Sequence, residues 1–137
     1  MHIIEKLHSE ASLVNTIEQT PVGSKEVLIW YLGQCGFIFK TNDLTIGIDL
    51  VLSELYDSEG KPRRLYSPPM TATQTPNLTH IFCTHNHADH LNISTVQGIL
   101  QTHQQTKCVI PAGIASDIHH IPSERVIYAV QNQKIEL

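Results

Sequence analysis

The run Thr84 to Leu91 reads THNHADHL, and within it His85, His87, Asp89 and His90 spell H-x-H-x-D-H. Four side chains able to bind a metal fall within six residues. Imidazole and carboxylate are borderline-to-hard ligands that suit zinc, manganese or iron. A tight loop can aim His85 and His87 at one ion and Asp89 and His90 at a second. Two ions about 3.5–4 Å apart hold a bridging hydroxide, a nucleophile near neutral pH. The plainer reading of the same residues is a polar, His-rich surface loop. The density of donors directly behind an apolar run favours ligation.

That apolar run is Leu78-Thr79-His80-Ile81-Phe82-Cys83, a buried strand that ends where the loop begins. Ligands gather at such strand ends in layered α/β domains. The rest of the chain must build the scaffold that holds this end in place. Ile3, Ile4, Leu7, Ala11, Val14 and Ile17 recur at helical spacing and predict an amphipathic helix ending before Pro21. Val27–Tyr31 reads as a strand, Gly33-Gln34-Cys35-Gly36 as a turn and Phe37–Lys40 as the returning strand. Leu44 to Leu50 is a third strand, carrying Asp49. Residues 51–77 break the pattern with Gly60, Pro62, Pro68, Pro69 and Pro76, and they carry Lys61, Arg63 and Arg64. A long aperiodic connection in a compact domain is functional or mobile. Beyond the His loop, Ile93, Val96, Ile99 and Leu100 mark a helix over 93–104, capped by Asn92 or Ser94. Lys107–Ile110 is a strand, Pro111 opens a short helix to about Ile118, and Val126–Val130 is a strand. Lys134–Leu137 reads as the start of a further strand.

The 137 residues make one domain, long enough to bury a core. Net charge is −4 and the sequence pI near 6.1, so no basic field supports nucleic-acid binding. Apolar stretches fall far short of a membrane span, and the N-terminal MHIIEKLHSE lacks the long apolar core of a secretory signal. Cys35, Cys83 and Cys108 form no C-x-x-C pair and read as reduced thiols of a cytoplasmic protein. Cys83 lies along the strand rather than in the loop, which disfavours it as a metal ligand.

THNHADHL resembles the signature of the metallo-β-lactamase superfamily, whose hallmark is T-H-x-H-x-D-H after a β-strand. Upstream, WYLGQCGFIFK, then IGIDLVLSE and RRLYSPP, is similar to the branch that contains L-ascorbate 6-phosphate lactonases and related metal-dependent hydrolases. The resemblance runs from about Val27 to Leu137, most of the chain. It implies an α/β fold, the N-terminal half of an αββα sandwich. Residues 1–137 would then be a single partial domain, truncated before the second half and its later His and Asp ligands. His119 and His120 precede Ile121-Pro122 and match no family ligand position; a solvated helix end accounts for them.

The same resemblance implies two divalent ions, zinc or manganese, with His85 and His87 on one and Asp89 and His90 on the other. Asp89 would also act catalytically, positioning the nucleophile or passing a proton. Asp49 would orient a ligand His from behind; the plainer reading is a strand-end residue bonded to local backbone. The implied function is a lactonase that opens a sugar-phosphate lactone through a metal-bound hydroxide. Arg63 and Arg64 would meet the phosphate with their planar forks, or else form a solvated basic turn. Thioester, phosphodiester and β-lactam hydrolysis share the motif. A second class is non-catalytic: half of a two-sheet sandwich leaves an apolar face bare, and a homodimer or the missing half would cover it. On either reading the 137-residue chain alone is expected to be inactive or nearly so.

Overall fold

The computed structural model describes residues 10–137. Ile3, Ile4 and Leu7 of the expected N-terminal helix lie outside the described residues. Its described part is α1, Glu10–Gln19. Ile17 is fully buried and Val14 packs on the core, as the helical spacing predicts. Lys40 closes the helix end: its Nζ donates to the carbonyls of Ile17 at 2.7 Å, Glu18 at 2.8 Å and Thr20 at 2.9 Å. Last-turn carbonyls have no partner within a helix, so a cation there satisfies them and meets the negative end of the dipole.

Strands β1 (Leu28–Gly33), β2 (Gly36–Lys40) and β3 (Thr45–Ile48) form an antiparallel meander. Then β4 (His80–Phe82), β5 (Lys107–Pro111) and β6 (Val126–Ala129) join β3 in parallel. The result is one six-stranded sheet with its strands in sequence order. Parallel strands need crossovers. Helix α2 (Ile93–Thr102) makes one, and a 3₁₀ segment at Ala112–Ile118 followed by another at Ser123–Arg125 makes the next. Because β3 to β6 run the same way, their C-terminal ends share one edge. Asp49, the His loop and Ala112 all leave the sheet along that edge.

The two faces of the sheet differ. Trp30, Ile38, Gly47, Ile81, Cys108 and Val126 align across the strands on one face. There they meet Ile17, Met70, Val96, Ile99, Leu100 and Ile118 in a single core. Tyr31, Phe37, Ile48, Phe82, Val109 and Ile127 align on the other face, together with Ile29, Phe39 and Ile46. Val109 is buried there, most of the others are half-buried, and Ile29 and Tyr31 towards the β1 edge are more than half exposed.

Three expectations change. The strand expected over Leu44–Leu50 stops at Ile48, because Asp49 takes φ 48° and turns the chain out of the sheet. Asp is among the few residues that visit the left-handed region readily. Lys134–Leu137 forms no strand: Asn132 at φ 64° and a turn from Val130 to Gln133 carry the chain away from the sheet. Residues 51–77 have little regular structure, but they are packed rather than loose, with Leu52, Leu55, Arg64, Met70 and Thr75 buried.

Candidate metal centre

The His loop is a turn closed by its own backbone. The N–H groups of His90 and Leu91 both donate to the His87 carbonyl, at 2.9 and 2.8 Å. Leu91 is buried and anchors the exit, and Asn92 then caps α2 by accepting from the Thr95 N–H at 2.9 Å. The long connection is stitched to the same point. Ser53 Oγ donates to Asn92 Oδ1 at 2.9 Å, and the Leu52 N–H donates to Thr95 Oγ1 at 2.8 Å. Asn86 Nδ2 donates to Asp117 Oδ2 at 3.0 Å, tying the loop to the segment after β5. On the opposite flank, a Cβ on Gly36 would stand 3.2 Å from the Gly33 carbonyl and 3.3 Å from the Asp49 carbonyl, so the glycine lets the β1–β2 turn sit close against the site.

This scaffold brings the predicted donors together. The His85 ring lies 3.9 Å from that of His90 and 4.6 Å from that of His87, centre to centre. Asp89 Oδ2 stands 4.0 Å from His90 Nε2. His87 is exposed and His85, Asp89 and His90 are half-buried, so the cluster faces outward from the sheet edge. Beneath it sits Asp49, only 5% exposed. Its carboxylate accepts three hydrogen bonds, each 2.8 Å long, from Thr84 N–H, Thr84 Oγ1 and His90 Nδ1. A buried carboxylate needs this many donors to stand out of water.

The donor chemistry fits divalent zinc or manganese: three imidazoles and one carboxylate on a single turn, with a buried carboxylate behind His90. Among the described residues, no group of three His, Cys, Asp or Glu side chains is already arranged to hold an ion. The loop by itself completes no coordination shell, and an ion bound there would take its remaining ligands from elsewhere. Cys83 is buried; its hydrogen bond to the Cys108 thiol, then burial, hold it far above the ordinary thiol range. It therefore stays a neutral thiol facing the core.

The two arginines part company. Arg63 is exposed. Arg64 is 6% exposed; its Nη1 donates to the Val51 carbonyl, its Nε to the Tyr66 carbonyl at 3.2 Å, and its guanidinium lies 5.5 Å over the Tyr66 ring. Its Nη2 is buried with no hydrogen-bond partner among the described residues. His119 and His120 are exposed beyond the Ala112–Ile118 segment, their rings 3.8 Å apart.

Sequence reading gave no role to Thr84, whose hydroxyl touches Asp49, His85 and His90. Its place at the junction of strand and loop was the available signal. Nor did it single out Tyr66, which accepts the Gln34 N–H at 3.2 Å and fills the space where a Cβ on Gly33 would be. Only the folded chain brings those two positions together.

The mixed α/β unit, a six-stranded sheet flanked by helices on one face, is a fold shared with solved structures of other proteins. The metallo hydrolase Igni18 of the archaeon Ignicoccus hospitalis matches 81% of this chain at TM-score 0.57 and 18% identity. A protein of Parabacteroides distasonis described as a metal-dependent hydrolase matches 72% of this chain at TM-score 0.50 and 20% identity. This chain spans 42% and 38% of those two proteins. In sequence, it is 27% identical over 78 residues to the uncharacterized proteins Rv0906 of Mycobacterium tuberculosis and Mb0930 of Mycobacterium bovis. That match covers 56% of this chain and 21% of theirs. No family model matches the chain. Among the described residues, no helix is long and apolar enough to cross a membrane.

Proposed function

We propose that this chain carries one ligand loop of a metal-dependent hydrolase, with His85, His87, Asp89 and His90 as its metal ligands. The observation that carries this reading is the buried Asp49 behind His90, at 2.8 Å from Nδ1. A carboxylate in that position sets the imidazole so that Nε2 faces outward as a ligand. The match of the fold to two proteins described as metal-dependent hydrolases supports the same reading. When bound, divalent ions supply Lewis-acid activation of water and of an acyl carbonyl. Asp89 stands over the outer side of His90, where it would orient the attacking water or pass its proton to the leaving oxygen. The substrate class we favour is a lactone of a phosphorylated sugar. Exposed Arg63 would meet the phosphate, while buried Arg64 would hold the backbone beside it through the Val51 and Tyr66 carbonyls.

The test compares this chain with any longer product of its reading frame. Each is loaded with zinc or manganese and assayed on sugar-phosphate lactones, thioesters, phosphodiesters and β-lactams. The longer form should open the lactone, this chain should be inactive or nearly so, and Arg63→Glu should raise KM at unchanged kcat. Preference for a phosphodiester or a β-lactam overturns the substrate class. Indifference to charge reversal at Arg63 removes the phosphate and leaves a generic metal hydrolase.

The sheet face away from the core supports a second reading, in which the chain acts by association. Ile29, Tyr31, Phe37 and Phe39 form an apolar surface that a second copy would cover. Sedimentation decides it: a dimer is expected, and a monodisperse monomer at high concentration overturns it.

A further inference from the structure

Thr84 has one hydroxyl proton and three neighbours that could receive it. Asp49 Oδ2 is 2.8 Å away, His85 Nδ1 3.1 Å and His90 Nδ1 3.3 Å. An ionised carboxylate only accepts, and a hydrogen bond to it is shorter and stronger than one to a neutral ring nitrogen. The proton therefore goes to Asp49. The backbone reinforces that choice, since the Thr84 N–H donates to the other Asp49 oxygen at 2.8 Å. Thr84 is thus held at both its N–H and its hydroxyl by one buried carboxylate, and its branched Cβ stiffens the side chain further.

With its proton spent, the hydroxyl can only accept from the histidines. Two lone pairs would repel each other, so a 3.1 Å contact requires His85 Nδ1 to carry the hydrogen. His90 Nδ1 also carries its hydrogen, donating to Asp49 Oδ2 at 2.8 Å. Both rings then keep the Nε2 lone pair free. We propose that Thr84 is a positioning residue that extends the influence of Asp49 from His90 to His85, so that one buried carboxylate fixes the tautomer of two imidazoles on the loop. His87 takes no part in this chain of hydrogen bonds. The proposal deepens the metal-ligand reading given above and rests on it for its purpose, though not for its geometry.

The test reads tautomers in the metal-free protein by nitrogen-15 NMR of the imidazole rings, well above the ordinary histidine pKa of about 6.5. In the unaltered protein, His85 and His90 should both be protonated at Nδ1. In Thr84→Val, which keeps the shape and removes the hydroxyl, His85 should lose that preference while His90, still bonded to Asp49, keeps it. Thr84→Ser should restore His85, and His87 should be the same in all three. Zinc affinity, measured by titration calorimetry, should fall about tenfold to a hundredfold in Thr84→Val and recover in Thr84→Ser. A merely structural role for Thr84 would not move the His85 tautomer alone. Protonation of His85 at Nε2 in the unaltered protein overturns the proposal, whether or not the valine variant folds. So does a folded Thr84→Val with His85 unchanged. If the tautomers behave as stated but the unaltered protein takes up no zinc or manganese, the relay stands and the metal reading fails.

Discussion

Two connections leave the same edge of the sheet and are held in different ways. The loop after β4 is short, and its turn closes on itself through the His87 carbonyl. The connection after β3 runs from Asp49 to Thr79 and is fixed from outside. Arg64 holds the Val51 and Tyr66 carbonyls, Leu55 bonds to Arg63, and Leu52 and Ser53 are pinned to the start of α2. The first keeps polar donors facing outward. The second buries a guanidinium to hold backbone in place. Residues of similar chemistry thus serve opposite ends: Asp89 and Arg63 remain available, while Asp49 and Arg64 are buried and committed to the structure.

The largest effect expected from this contrast lies in the short loop. His85→Ala combined with His87→Ala should abolish stoichiometric zinc or manganese uptake, read by elemental analysis after dialysis. Unchanged metal content would place the ion elsewhere and erase the distinction between the loops. Next comes Asp49→Ala, which removes the acceptor of three hydrogen bonds. Metal affinity should fall about tenfold to a hundredfold, or about 1.4–2.8 kcal/mol, by calorimetry. A smaller loss than for a substitution at exposed Asn86 would mean that the buried carboxylate does not orient the loop.

The third substitution belongs to the long connection. Arg64→Met keeps the bulk but leaves the Val51 and Tyr66 carbonyls without their donors. The cost should be about 1–3 kcal/mol in urea unfolding, with metal affinity nearly unchanged. A loss of affinity larger than the loss of stability would show that the two connections are coupled. The smallest effect is at His80, on the strand between them. Burial, then the charge of Lys107, lowers its pKa below the ordinary 6.5. The unfolded chain therefore binds the proton more readily, and stability rises with pH across the interval between the two values. The stabilisation is complete above 6.5 and is lost as pH falls through the lowered folded value. His80→Gln should flatten that part of the profile of unfolding midpoint against pH.

The elements were legible wherever the local pattern was strong. The meander, the β4 strand and the α2 helix with its Asn92 cap follow from alternation, helical spacing and a capping side chain. The 51–77 connection was not, because no periodicity describes a segment whose order comes from partners far along the chain. The strand end at Asp49 was misplaced by two residues for a related reason. Nothing local distinguishes an aspartate that continues a strand from one turned by a waiting Thr84.

What the sequence determined by itself was a density of metal-capable side chains behind a buried strand, because residue types and their spacing along one turn are local properties. It also determined the order of strands and helices, which follows from apolar periodicity. The tertiary structure decided how those donors are held. It placed Asp49 under His90 across 41 residues of chain, gave Thr84 three partners, and buried Arg64 while leaving Arg63 in solvent. It also left one face of the sheet apolar and uncovered by any described helix. Hydrogen bonds and burial depend on which distant groups arrive at the same place, and only the folded backbone brings them there.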